Sequence, residues 1–278
     1  MNHLRRESAP ITEDGWSAIE EEAKQRLSNW LAARRLVDVS SPQGWEHSAV
    51  DLGRAGTVAG AGASPEGGAV EIRLRLVLPV TEMRAPFEVS RDELDAIDRG
   101  ALDADFGSLE EAARQLALAE NGAIFHGLAA AGITGIAEAA THDSVPLEGD
   151  FNRYPRSVAM AVSTLQQAGV GGPYGLAISP EGYTGIVETA EHGGYPLFDH
   201  LKKILGGPIV WAPGLTDGLV VSLRGGDLLL DLGQDISIGY ASHDANRVQL
   251  YFEESFTFRV VEPDAAVRLV ASAGAGPG

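Results

Sequence analysis

The sequence predicts an α+β fold arranged as two linked lobes. Helix-period and strand-period stretches follow one another without the regular strand–helix–strand alternation of a parallel sheet. At 278 residues the chain can bury one large core or two modest ones. It contains no cysteine, so packing holds the lobes together, and disulfides, thiolate zinc sites and iron–sulfur clusters are excluded. No internal repeat is visible.

Thr12 precedes Glu13 and Asp14, a side-chain cap followed by acids that suit the positive end of a helix. That helix is predicted to run to about Arg35. Ile19, Ala23, Leu27, Trp30, Leu31 and Arg34 recur at three- and four-residue spacings and form an apolar stripe ending in a cation. The stripe either packs on its own domain or stays partly open for a partner. Residues 49–80 read as two strand-like arms around the glycine-rich "AGAGASPEGG", because Ile72, Leu74 and Leu76 alternate with Arg73 and Arg75. Such a hairpin has little core of its own and must pack on something outside its domain or lie disordered.

A long alanine-rich helix is predicted from Ser108 through "SLEEAARQLALAENGAIFHGLAAAGI", with Leu109, Ala112, Leu116, Ala119, Ala123 and Leu128 near one face. "PRSVAMAVSTLQQAG" is a further helix and leads into the strand "YGLAISP". "EGYTGIVETA" and "LFDHLKKILGG" are short helices on either side of "EHGGYP". "PIVWAP" and "GLVVSLRGGDLLLDLG" read as strands, and "DISIGYASHDANRVQLYFEESFTFRVVEP" as a hairpin of two long ones. The tail "ASAGAGPG" is expected to be disordered.

The charge excludes several partners. Lys and Arg number 21 against 39 Asp and Glu, a net charge of −18, which repels phosphate backbones and anionic lipid. Neither a nucleic acid nor a membrane is expected, since no segment approaches the roughly 18 apolar residues of a spanning helix. The N-terminus lacks the apolar stretch of an export signal, and a reducing cytoplasm is the expected location.

No motif announces chemistry. "GAGASPEGG" lacks the Gly-Lys-Ser/Thr ending of a phosphate loop, and Tyr174 occupies the third glycine position of a dinucleotide pattern in "GVGGPYG". There is no Gly-x-Ser-x-Gly elbow and no His-Glu-x-x-His. The adjacent pairs Glu110–Glu111 and Glu253–Glu254 point in different directions and read as solvated faces. His243–Asp244 reads as a turn, and His126 as a packed, hydrogen-bonded histidine. No catalytic, cofactor-binding or metal-ligating residue is predicted.

The stretches "LAAR" with "VDV" near residue 31, "ELDAIDRG", "AENGAIFHG", "GVGGPY", "GYPL", "RGGD", "LGQDISIGYASHD" and "ESFTF" occur in an order and spacing that resemble the encapsulins. These are bacterial nanocompartment shell proteins once described as linocin-type bacteriocins. The resemblance implies an HK97-like capsid fold with a peripheral domain, an axial domain and an extended loop, closing into an icosahedral homo-oligomeric shell. On that plan residues 1–48 hold the N-terminal helix and the start of the peripheral domain, and 49–80 the extended loop. Residues 81–153 continue the peripheral domain with its spine helix, 154–222 form the axial domain, 223–270 return as peripheral strands, and 271–278 are tail.

The resemblance also implies a cargo enzyme, a ferritin-like iron oxidase or a dye-decolourising peroxidase, held through a C-terminal targeting peptide. Iron storage or oxidative-stress defence would be the role of the loaded particle. Leu27, Trp30, Leu31, Arg34, Asp38, Asp235 and Ile236 are the residues implied for the peptide groove. Glu191, His192, Gly193 and Gly194 would line a fivefold pore, with Tyr195 and Pro196 anchoring the loop's return. Flavin binding, described in the family at a tryptophan, is not expected, because Asp92 stands at that position and offers no stacking face. Two other readings compete: a phage-type major capsid protein around a genome, and a bacteriocin or peptidase.

Overall fold

In a computed structural model, residues 3–57, 72–190 and 194–271 are described. They form, in order, α1 (Glu13–Trp30), β1 (Asp38–Val39), β2 (Ala49–Thr57), β3 (Arg73–Pro79), β4 (Thr81–Ser90), α2 (Arg91–Asp98), α3 (Gly107–His126), α4 (Ile136–Ala139) and β5 (Val145–Leu147). There follow α5 (Tyr154–Gln167), β6 (Tyr174–Ile178), α6 (Pro180–Glu188), α7 (Leu197–Leu205), β7 (Gly206–Trp211), β8 (Gly218–Ser222), β9 (Leu228–Leu232), β10 (Ser237–His243), β11 (Arg247–Val260) and β12 (Ala266–Ala271).

Two five-stranded sheets organise the chain. In the first, β11 is the hub: its length lets it pair antiparallel with β4, β10 and β9, and β1 extends the sheet by pairing parallel with β9. The second runs β5-β12-β8-β6-β7. The α1 and α3 helices cover the first sheet with Ile19, Leu27, Leu109, Leu116, Phe87 and Phe252 in one apolar cluster. The α5 and α7 helices pack in the core of the second sheet through Val158, Leu165, Leu201 and Leu205. The C-terminal half of α3 brings Ile124 and Phe125 into a third cluster with Val210, Leu230 and Phe256, and so joins the two sheets.

The α1 helix is capped as its sequence predicts, with Gly15 N donating to the Thr12 hydroxyl at 3.0 Å. It ends at Trp30, earlier than the predicted Arg35, and a 3₁₀ turn over Ala33–Arg35 follows. The break is held by Asn121, whose amide nitrogen donates to Trp30 O at 2.8 Å while its oxygen accepts from Ala33 N at 3.0 Å. The α3 helix likewise stops at His126, because Gly127 adopts φ 90°. "GLAAAGI", predicted to continue that helix, instead forms a turn closed by the Leu128–Ile133 bridge. His126 hydrogen-bonds Gly214 O at 3.0 Å and is exposed, not packed in a core.

β2 and β3 form a separate two-stranded sheet. Ile72, Leu74, Leu76 and Val77 are exposed on its second arm, as expected for a hairpin without its own core. The glycine-rich tip lies outside the described residues, and so does the tail beyond Ala271. No strand was predicted at β12, which lies in the second sheet, antiparallel to β8 and parallel to β5.

A candidate docking groove above a buried arginine cluster

A groove of about 470 Å³ opens between α1 and the start of β10. Its walls are Ala23 and Leu27 of α1 with Leu31 just after it, and Ile236 from the turn before β10 with Ile238 of β10; Phe252 of β11 lies beneath. Leu4 and Arg6 of the N-terminal segment close one side. That segment is tied down: Tyr240 N donates to Leu4 O at 2.8 Å, and Arg6 pairs with Glu20 at 2.5 Å and lies 4.1 Å over the Trp16 ring. Glu20, Lys24, Arg34 and Asp235 bring charge to the rim. An apolar channel with charged margins is suited to an extended or helical peptide carrying a few apolar side chains.

Arg34 is organised from below. Its guanidinium donates to Glu120 through Nε (2.8 Å) and Nη2 (2.6 Å), to Asp235 through Nη1 (2.7 Å), and to Glu254 through Nη2 (3.1 Å). Glu120 and Glu254 are fully buried, whereas the Asp235 side chain is 49% exposed. Burial pulls the guanidinium pKa down, and the bonds to Glu120 and Asp235 more than offset it, so the net shift is upward. Burial is also the main cause of a strong upward shift at the Glu254 carboxyl, reinforced by the Glu120 charge.

Of the seven residues implied for the groove, Leu27, Leu31, Arg34, Asp235 and Ile236 line it. Trp30 does not. It faces Trp211 edge-on at 5.1 Å and carries Arg114 over its ring at 5.9 Å. Asp38 is also elsewhere, because β1 pairs with β9 and turns its carboxylate to Gly226 N at 2.6 Å. It lines a different hollow, with Ser222 and Asp227.

Glu120, Asn121 and Glu254 were missed by sequence reasoning, although "AENGAIFHG" and "ESFTF" contain them. Glu253 and Glu254 are both buried, and the prediction of a solvated face is wrong for this pair. They do point to opposite sides of β11, but both sides are covered. Glu253 accepts from His3 at 3.0 Å and pairs with Arg84 at 2.5 Å, and His3 stacks on Trp45 at 4.6 Å. Glu110 and Glu111 do face solvent, and hydrogen bonds from Arg114 and Gln115 lower the Glu111 carboxyl to about 2. Asp244 accepts from Asn246 N and Arg247 N in the predicted turn.

Glu191, His192 and Gly193 lie outside the described residues. Gly194 is exposed at φ 79°. The loop's flanks are joined by the Ala190–Pro196 bridge and by Leu197 N donating to Thr189 O at 3.1 Å. Tyr195 sits under Lys203 Nζ at 4.8 Å. Asp92 starts α2, where its backbone N donates to the Ser90 hydroxyl at 3.2 Å, and it shares a polar hollow with Glu88, Glu93 and Asp105. Among the described residues no cluster of three potential metal ligands occurs, and no helix is long and apolar enough to cross a membrane.

The profile of the family described as "Encapsulating protein for peroxidase" matches residues 1–257. The type 1 encapsulin shell protein of Rhodospirillum rubrum is 45% identical over 97% of this chain and 96% of its own length. That of Rhodococcus erythropolis is 43% identical over 97% of this chain and 100% of its own length. Among solved structures, the virus-like particle from Pyrococcus furiosus superposes with a TM-score of 0.60 at 18% identity, covering 92% of this chain and 99% of the other. The capsid of an empty GTA particle gives 0.55 at 16% identity over 88% and 90%. These two likenesses identify the fold as the HK97-like capsid fold, while the near full-length identity to curated shell proteins identifies the family. The chain belongs to the encapsulin shell proteins.

Proposed function

We propose that this shell protein closes into an icosahedral particle in the bacterial cytoplasm and holds a cargo enzyme on its inner wall. The groove between α1 and β10 docks the cargo's C-terminal targeting peptide. The observation that carries this reading is the convergence of Leu27, Leu31, Arg34, Asp235 and Ile236 on one apolar channel with charged margins. Apolar side chains of the peptide bury against Leu27 and Leu31. Asp235, half exposed, is available to its polar groups, whereas Arg34 is engaged by three carboxylates and acts as the support of the groove.

A ferritin-like oxidase or a peroxidase is the cargo class we favour. The family's description names peroxidase, and a ferritin-like–encapsulin shell fusion protein of Pyrococcus furiosus is 28% identical over 39% of this chain. The loop at Glu191, His192, Gly193 and Gly194 is proposed to line a pore that admits small substrates; its flanks are tied together at Ala190 and Pro196. The protein itself is proposed to be non-enzymatic.

The deciding experiment is Leu31→Asp, coexpressed with a ferritin-like or peroxidase cargo that carries a C-terminal targeting peptide. A charge in the channel costs a few kcal/mol if the channel is dry, so intact but empty particles are expected. Normal cargo content would remove Leu31, and with it the groove, from the docking role.

A further inference from the structure

Beneath the groove, one guanidinium faces three carboxylates, two of them fully buried. Glu120 and Glu254 both approach the same nitrogen, Arg34 Nη2, at 2.6 and 3.1 Å. Among the described residues Glu254 Oε1 is buried and finds no donor. Two ionised carboxylates this close, with one cation already shared with Asp235, leave uncompensated negative charge out of water, whereas a single proton between them supplies the missing donor. Among the described residues, the charged groups acting most strongly on Glu254 are Glu120 from α3, Arg34 from the 3₁₀ turn after α1, and Asp235 from the turn before β10. From β4 comes Met83, its register partner, while Arg84 pairs with Glu253 on the opposite side of β11. None adds a second cation.

We propose that Glu120 and Glu254 hold one proton between them, and that this proton is a pH-sensitive latch on the corner of the fold that supports the groove. The four elements meeting at Arg34 are the end of α1 with its 3₁₀ turn, α3, β11 and the β9–β10 turn. Three of them also form the groove's walls or floor, through Leu31, Phe252 and Ile236. Loss of the proton sets two buried anions against one arginine, and the strain is relieved by local opening that admits water. The upward shift of the Glu254 carboxyl agrees with this. Its sign follows from linkage. The closed corner binds a proton that the opened one releases, so its stability falls as pH rises from the ordinary glutamate value, about 4.3, to the raised value in the closed state. The consequence for cargo, looser docking at alkaline pH, rests on the docking reading above.

The test uses cargo-free assembled shells. Infrared difference spectra should contain the carbonyl stretch of a neutral carboxylic acid at pH 7. It should be absent in Glu254→Gln and in Glu120→Gln, where the remaining carboxylate ionises against Arg34. Hydrogen exchange over residues 29–36 and 233–238 should lose protection by up to about tenfold per pH unit within that window. In Glu254→Gln the protection should be flat. If a variant fails to assemble, the wild-type shell still decides, because the acid band and the protection must disappear over the same pH interval. No acid band at pH 7, or an equal pH slope in Glu254→Gln, overturns the proposal. A failed peptide-docking assay with the band present would refute the docking reading alone.

Discussion

Asn121 decides where α1 ends, because its amide supplies both the donor for Trp30 O and the acceptor for Ala33 N at the break. Replacing it by alanine leaves the buried Ala33 N without this partner and Trp30 O with Ala32 N in place of two donors, and should destabilise the fold by about 1–3 kcal/mol, read as a lower denaturant midpoint at unchanged slope. Arg34→Leu should cost more, about 3–5 kcal/mol at neutral pH, since Glu120 and Glu254 lose the cation they share. A part of that loss should be recovered in acid, where the Glu254 carboxyl, already pushed upward by burial, is neutral. Much of the groove was legible in the sequence: the helical spacing placed Leu27, Leu31 and Arg34 on one stripe, and the resemblance supplied Asp235 and Ile236. Its floor was not. The rule that adjacent strand residues face opposite ways holds at Glu253 and Glu254, but a strand paired along both edges and covered on both sides gives neither residue access to water. Buried ionic partners on α3, β11 and a distant turn are contacts of the tertiary fold, and spacing along the chain carries no trace of them.

At the scale of elements, glycines and strand edges set what the periodicity could not. The alanine-rich pattern carries a helical signal past His126, yet Gly127 at φ 90° ends the helix. A Cβ there would stand 2.8 Å from Gly135 N. Gly127→Ala should therefore cost about 1–3 kcal/mol, measurable as a drop in Tm of the assembled particle and of any dissociated subunit alike. β12 escaped notice because only six residues of strand precede a glycine- and alanine-rich tail, and nothing in them marks which sheet they join. The arm formed by β2 and β3 behaves differently. Its alternation was readable, and Leu74 remains 63% exposed with Leu76 beside it on the same strand face. Because these side chains do not contribute to the subunit's own core, Leu74→Asp with Leu76→Asp should leave secondary structure and subunit folding unchanged while preventing particle closure. Circular dichroism and sedimentation velocity on the same sample separate the two. A closed particle from this variant would show that the arm's apolar face is not an inter-subunit contact.

The whole molecule combines a fold shared with genome-containing capsids and a charge that opposes a genome. The two capsid-fold likenesses concern architecture alone and leave contents open. The net charge of −18 per subunit is multiplied by every copy in a closed shell. Condensing nucleic acid inside such a shell requires a cationic inner surface, because the phosphate backbone is held mainly by Lys and Arg. Nine of the 21 Lys and Arg pair with a carboxylate of the same chain among the described residues, as at Arg26, Arg34, Arg84, Arg114, Arg153, Arg224 and Arg259. Their fields are neutralised locally and do not sum into a basic lining. Shells assembled in a bacterial cytoplasm and treated with nuclease should therefore show the ultraviolet spectrum of protein alone, and should release no phosphate-rich polymer on denaturation. Their sedimentation should also match an empty or cargo-loaded protein shell, with mass accounted for by shell and cargo polypeptides. Nuclease-protected nucleic acid in stoichiometric amount would mean that cations outside these pairs, Lys24 and Arg35 among them, gather on the inner wall, and would return the chain to the capsid role that its fold permits.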